Sequence, residues 1–208
     1  MNKPMLLLLL LLSSCHGFQK PEVQQAIITD NSKKSVKASG DTIPVDLERS
    51  TIQWKGTKMR GMGKHEGIVQ LQSAYFLTDG ERIKRGGFTV DMNSIRVTGI
   101  PAHEPVPRRR LNDHLKSVDF FNAKAHPTSH FIITHVDWIS GDSLHIHGNL
   151  RIKGISRNIR FMATHINKQF STSFLINRFA WNIAYQGRWI DKTFVDKEIE
   201  LKINILTK

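Results

Sequence analysis

The chain has 208 residues, with 30 Lys and Arg against 18 Asp and Glu, a formal charge of +12 and one cysteine. This length fits one ordinary domain plus a targeting segment, and the composition excludes both a disordered chain and a membrane-embedded bundle. A single cysteine excludes an intrachain disulfide, so packing alone must hold the core.

Residues 1–14 read as a secretory signal. Lys3 supplies a weakly positive start, and Met5 with the run Leu6 to Leu12 forms an apolar stretch. That stretch is shorter than the ~20 residues a spanning helix needs. It ends in Leu12-Ser13-Ser14-Cys15, which resembles the bacterial lipobox. The resemblance implies cleavage before Cys15 and acylation of its sulfur, and so explains a lone cysteine in an oxidising compartment. More than one acyl chain on Cys15 suffices for anchoring without a spanning helix. The expected location is the bacterial cell envelope. His16 replaces the Asp of the inner-membrane retention signal, which points to the outer membrane, facing the periplasm. Residues 15–44 read as the acylated cysteine and a flexible polar tether, in which Val23 to Ile28 could form a short helix.

Residues 45–208 carry period-two alternation, the mark of strands with one buried face. Ile52, Trp54 and Gly56 share a face, and Gly67, Val69, Leu71, Ser73 and Tyr75 share a parity. Phe88, Val90 and Met92 alternate with polar neighbours, and Phe131 and Ile133 begin a strand apolar on both sides. Leu144, Ile146, Gly148, Leu150 and Ile152 follow, then Ile159, Phe161 and Ala163. Phe179, Trp181, Ile183 and Tyr185 form another face, and Ile199, Leu201, Ile203 and Ile205 the last. Thr78-Asp79-Gly80, Ser140-Gly141-Asp142 and Lys153-Gly154 are turn signals, the last two of hairpin type. Arg108 to Phe121 breaks the pattern: Leu111, His114, Leu115 and Val118 have helical spacing. About eight strands joined in sequence suggest an antiparallel barrel or sandwich, and the barrel is favoured because closure removes exposed edges.

The basic residues cluster near turns: Lys55, Lys58, Arg60 and Lys64; Arg82, Lys84 and Arg85; Arg108, Arg109 and Arg110. They read either as solvated rims or as a basic rim facing lipid headgroups. An envelope location excludes nucleic acid as the partner.

Several blocks of this domain resemble the YceI-like family. They are Trp54-Lys55-Gly56 with His65-Glu66-Gly67; Gly87 to Ile95; Leu111 to Phe121 with His126-Pro127 and Phe131; Gly148 to Ile155 running into Asn158 to Phe161; and Arg178 to Ile183. The resemblance implies an all-β, eight-stranded, antiparallel, lipocalin-like barrel with a short helical segment near one end. It also implies binding of a polyisoprenoid-type chain in the interior. No further cofactor is expected. On this reading Trp54, Phe88, Val90, Met92, Phe131, Ile133, Ile146, Phe161, Trp181 and Ile183 are candidate ligand-binding wall residues. Phe120 and Phe121 would close one end, and His65 and His114 would supply polar contacts at the mouth. Each of these residues has an ordinary packing or hydrogen-bonding role as its alternative.

Two rival readings stand beside this one. His145 and His147 share a strand face at a spacing compatible with a metal pair. The charged faces and the basic loop could instead dock an envelope protein. No nucleophile elbow, HExxH helix or phosphate-cradling glycine loop is present, so an enzyme is not expected.

Overall fold

The computed structural model describes residues 23–30, 40–58, 61–80, 82–184 and 195–208. Cys15, the apolar run before it and Tyr185 lie outside the described residues. In chain order the elements are β1 (Ile27–Thr29), β2 (Asp41–Lys58), β3 (Gly63–Asp79), β4 (Arg82–Val97), α1 (Pro105–Lys116), β5 (Thr128–Ser140), β6 (Ser143–Ile152), β7 (Ile155–Ile166), β8 (Gln169–Asn177), a 3-10 helix (Arg178–Trp181) and β9 (Val195–Thr207). Strands β2 to β9 each pair antiparallel with the next, and β9 returns to β2, which closes an eight-stranded barrel.

The chain closes this ring through tight hairpins that need left-handed residues. Gly141 (φ 52°) turns β5 into β6, and Lys153 and Gly154 (φ 50° and 78°) turn β6 into β7. Asn167 and Lys168 (φ 48° and 66°) turn β7 into β8 without any glycine. Asparagine tolerates this region because its short polar side chain bonds locally.

The structure corrects the expected elements in several places. The face of Phe179, Trp181 and Ile183 is not a strand. Arg178–Trp181 winds as a 3-10 turn, capped where the Asn177 side chain accepts the Phe179 N–H at 3.1 Å. Asn182 ends it in the left-handed region at φ 51°. The eighth barrel strand is instead β8, whose Phe170, Thr172, Phe174 and Ile176 are buried. In β3 the shared parity breaks. The register against β4 slips between Leu71 and Ser73, so Phe76 turns fully inward and Tyr75 outward. An extra residue reverses the pleat in this way. Helix α1 begins earlier and ends sooner than Arg108 to Phe121; Val118 lies beyond its end and is exposed.

The segment around Val23 to Ile28 is extended rather than helical. Ile28 pairs opposite Ile159 of β7. On the other side the Ala26 N–H donates to the Leu175 carbonyl at 2.9 Å, and the Leu175 N–H to that of Gln24 at 3.0 Å. Ala26 is buried by this docking. The barrel itself starts at Asp41, a few residues ahead of Val45.

Two glycines fit the aromatic packing to the sheet. A Cβ on Gly67 would stand 2.5 Å from the Trp54 ring and 2.1 Å from the Arg96 carbonyl oxygen. A Cβ on Gly148 would stand 2.4 Å from the Phe131 ring and 2.7 Å from the Ile132 carbonyl oxygen, whereas one on Gly56 would meet nothing within 4 Å. Gly148→Ala is therefore expected to lower unfolding stability by about 1–3 kcal/mol through overpacking. Gly56→Ala should be neutral or gain about 0.4–1 kcal/mol by restricting the unfolded chain. Chemical denaturation of the two variants measures both.

Candidate ligand cavity

One end of the barrel is packed shut. Phe76 on β3, Ile83 on β4, Leu144 and Ile146 on β6, and Ile205 on β9 have essentially no exposed surface. Above them runs a chain of rings. Phe76 meets Phe88 edge-on at 5.2 Å and Phe170 at 5.7 Å. Phe88 lies 6.3 Å from Phe131, Phe131 5.6 Å from Phe161, and Phe161 stacks on Phe174 at 4.2 Å. These spacings suit offset and edge-to-face aromatic contact. The six rings come from five strands, with Phe170 and Phe174 both on β8, and form the floor and lower wall of a cavity.

Above this floor the lumen is unfilled. It is a cavity of about 580 Å³ with an overwhelmingly apolar lining. Of the expected wall residues, Trp54, Phe88, Val90, Met92, Phe131, Ile133, Phe161 and Ile183 all line it. Phe120 and Phe121 also line it, from the turn after α1, with their rings edge-on at 5.0 Å. Ile146 and Trp181 do not line it. Ile146 is completely buried in the packing that shuts the closed end. Trp181 is buried in the 3-10 turn, where its indole N–H donates to the Leu150 carbonyl at 3.0 Å.

Sequence reasoning missed much of the wall. Val69 and Leu71 on β3, Leu150 and Ile152 on β6, and Ile199, Leu201, Ile203 and Ile205 on β9 also line the cavity. So do Phe170, Phe174 and Ile176 on β8. The signal for β8 was present as the alternation of Phe170, Thr172, Phe174 and Ile176 behind an Asn-Lys turn. From α1, Leu111, His114 and Leu115 face the lumen, so the helix lies over the open end.

Polar groups are confined to that end. His65 and His114 both line the cavity there, with Lys58, Asp196, Glu198 and Arg178. The His114 ring lies 5.7 Å from that of Phe120. Burial, with a smaller contribution from the Lys58 ammonium, lowers the His65 pKa below its ordinary 6.5, which favours the neutral imidazole. Arg178 is 1% exposed, yet its guanidinium donates to three carbonyls: Ile183 at 2.6 Å, Val195 at 3.1 Å and Asp196 at 3.1 Å. It fastens the 3-10 turn to the start of β9 beside the mouth.

The outer face of β6 carries His145 and His147, and the imidazole of His147 is engaged by Asp137. His147 Nε2 lies 3.0 Å from one Asp137 carboxylate oxygen, and His135 Nε2 lies 2.6 Å from the other. Among the described residues no group of three His, Cys, Asp or Glu side chains is placed to hold a metal ion.

Comparison with known proteins gives the same architecture. Residues 44–206 match the family model of the YceI-like domain. The structure is similar to that of Burkholderia cenocepacia BcnA, with a TM-score of 0.65 and 23% identity over 79% of this chain and 99% of that one. It is also similar to a polyisoprenoid binding domain from Saccharophagus degradans implicated in plant cell wall breakdown, with a TM-score of 0.57 and 9% identity over 79% and 97% of the two chains. The Campylobacter jejuni YCEI protein superposes with a TM-score of 0.51 and 18% identity over 86% and 93%. No curated protein matches the chain.

The lowered pKa of His65 has a consequence for stability. The unfolded chain takes up this proton at a higher pH than the folded one, so folding stability is full above 6.5 and declines as pH falls below it. Burial lowers the pKa of His147 and His165 as well, and they contribute in the same sense. Urea denaturation from neutral pH down to about pH 5 should show stability falling, and His65→Gln should make that fall shallower.

Proposed function

We propose that this chain, which belongs to the YceI-like family, holds a long apolar lipid inside its barrel at the bacterial envelope, as a carrier, store or sensor of that lipid. The observation that carries this reading is the lumen itself. It is closed at one end by packed aromatic rings, lined almost throughout by apolar side chains, and polar only at its mouth. Its volume of about 580 Å³ lies within the usual range of small-molecule sites. Each ligand CH₂ moved from water into such a lining contributes roughly 0.8 kcal/mol before ordering terms. A chain of many carbons therefore binds by burial alone and needs no catalytic group, and we read the protein as a binder rather than an enzyme. The structural neighbour described as a polyisoprenoid binding domain favours a prenyl chain, such as a polyprenol or an isoprenoid quinone, over an acyl chain.

The ligand's tail enters first on this reading. The apolar floor takes the tail, and the mouth at Lys58, His65, His114 and Glu198 leaves polar atoms for the head. The lipobox resemblance of Leu12-Ser13-Ser14-Cys15 completes the proposal. Acylated Cys15 holds the barrel on a membrane, proposed as the outer membrane on its periplasmic side, within reach of the lipid it carries.

Purification from a bacterial envelope, followed by organic extraction and mass spectrometry, tests the reading. One prenyl species at near-stoichiometric yield is the expected result. Val90→Trp, which fills the lumen without adding charge, should reduce uptake of that lipid at least about tenfold, equivalent to about 1.4 kcal/mol. His135→Ala, on the outer face, should leave uptake unchanged. A folded protein that carries no lipid and takes up none would overturn the proposal.

A further inference from the structure

Beside the cavity mouth, the outer side of α1 and the end of β4 enclose a groove of about 470 Å³. Four cationic side chains line it, Arg96, Arg108, Arg109 and Lys116, with Asp113 as its one carboxylate. Among the described residues none of the four cations forms an ion pair. Only Arg108 is engaged, its Nε donating to the Val97 carbonyl at 2.9 Å. Like charges gathered in one groove repel each other unless a counter-charge arrives from outside the chain.

The same twelve-residue helix serves two surfaces. Leu111, His114 and Leu115 face the lumen while Arg108, Arg109 and Lys116 face the groove. Apolar side chains stand exposed at both ends of the helix, Val106 at 45% and Val118 at 67%. The opposite end of the barrel is built differently. It also exposes apolar residues, Ile139 and Ile166, but its cations are spread over separate turns: Lys84 pairs with Asp79 at 3.8 Å, Arg82 lies over the Trp138 ring at 5.7 Å, and Lys168 sits in the turn between β7 and β8. Unmatched cations and exposed apolar groups coincide on the rim that carries the cavity mouth.

We infer that this rim is a docking surface for an anionic phospholipid bilayer, which lays α1 on the headgroups and turns the cavity mouth toward the membrane. The cations meet lipid phosphates, and Val106 and Val118 reach the boundary of the acyl layer. Docking goes beyond the proposed cargo and rests on that proposal in one respect only: a bilayer-soluble ligand must leave or enter a bilayer, and this orientation puts the mouth there. It also differs from tethering through Cys15, which brings the barrel near a membrane without orienting it.

Full-length protein carrying Cys15→Ser and one added thiol, Val118→Cys or Ile139→Cys, labelled with an environment-sensitive fluorophore, provides the test. On vesicles of phosphatidylcholine with phosphatidylglycerol, the probe at position 118 should shift to the blue and be quenched by nitroxide-labelled lipid. The probe at position 139 should remain in water. Phosphatidylcholine alone should give no such response at position 118, and added salt should reverse the one seen with phosphatidylglycerol. Each cation near an anionic leaflet contributes about fivefold in partitioning. Arg96→Gln with Arg109→Gln and Lys116→Gln should therefore lower the affinity on the order of a hundredfold, with a thermal midpoint that does not fall. Equal responses at the two positions, or a response at position 118 that ignores lipid charge, salt or the triple substitution, or no response at all, would each overturn the inference. Uptake of a polyprenol from detergent micelles, measured on the same proteins, separates the two proposals. Intact uptake without docking rejects the docking surface alone, and docking without uptake rejects the cargo alone.

Discussion

The closure of the sheet between β7 and β8 is the constraint on which the lumen depends. These two strands pair only beside their turn, where Thr164, His165 and Ile166 face Ser171, Phe170 and Gln169. Beyond that point the backbones part, and other groups hold the seam. The Thr172 hydroxyl donates to the Met162 carbonyl at 2.6 Å. Phe161 and Phe174 stack across the gap at 4.2 Å. The segment from Gln24 to Thr29 lies in the remaining opening, hydrogen-bonded to Leu175 on one side and paired with Asn158 to Arg160 on the other. Without these contacts both strands would present unpaired N–H and C=O groups to each other across water. A wetted seam would remove the dry interior on which the proposed lipid binding rests.

The same need explains how the aromatic residues are used. An eight-stranded barrel has an interior that side chains can fill or that can hold one small ligand. Here the large rings are concentrated toward one end. Phe76, Phe88, Phe131, Phe161, Phe170 and Phe174 build a floor, and mostly aliphatic residues and Trp54 stand above it. Gly148 makes room for Phe131 and Gly67 for Trp54, so the bulk of each ring lies against the wall. The sheet is thereby sealed below and hollow above, and α1 with the Phe120–Phe121 turn lies over the opening.

The strands were legible in the sequence because period-two alternation is a direct image of strands with one buried face, whereas their closure into a barrel was implied by the resemblance to the YceI-like family. What alternation could not show was phase across an irregularity. The slip between Leu71 and Ser73 sends Tyr75 outward, although it shares parity with Leu71 in the sequence. Strand β8 was missed because its alternation is blurred, with the polar Thr172 on the buried parity and the apolar Leu175 on the other, and because its turn, Asn167-Lys168, has no glycine. Phe179 to Ile183 imitated a strand, and the asparagine caps that wind Arg178 to Trp181 are local signals a parity count ignores. The hollow itself could not be read at all, since packed cores and lumen walls draw on the same residues. Ile146 and Ile133 lie on neighbouring strands with the same pattern, yet one is sealed in the closed end and the other borders the cavity.

The mouth shows how an apolar cavity is kept open without exposing unsatisfied backbone. Where β8 ends and β9 begins, the chain leaves the β8–β9 ladder and its carbonyls need other partners. Arg178 takes up three of them, on Ile183, Val195 and Asp196, and lies 4.3 Å from the Phe179 ring. Removing this guanidinium would leave buried acceptors unpaired, each at about 1–3 kcal/mol. On the other side of the opening the Asn112 side chain accepts the Val97 N–H at 2.8 Å and the Arg108 side chain caps the Val97 carbonyl at 2.9 Å, so α1 completes the end of β4. Polar side chains at the rim thus replace the missing ladder bonds, which lets the strands stop around a wide opening instead of converging to close it. A fold that satisfied its rim by closing would be the more self-sufficient barrel, but it would have no way in.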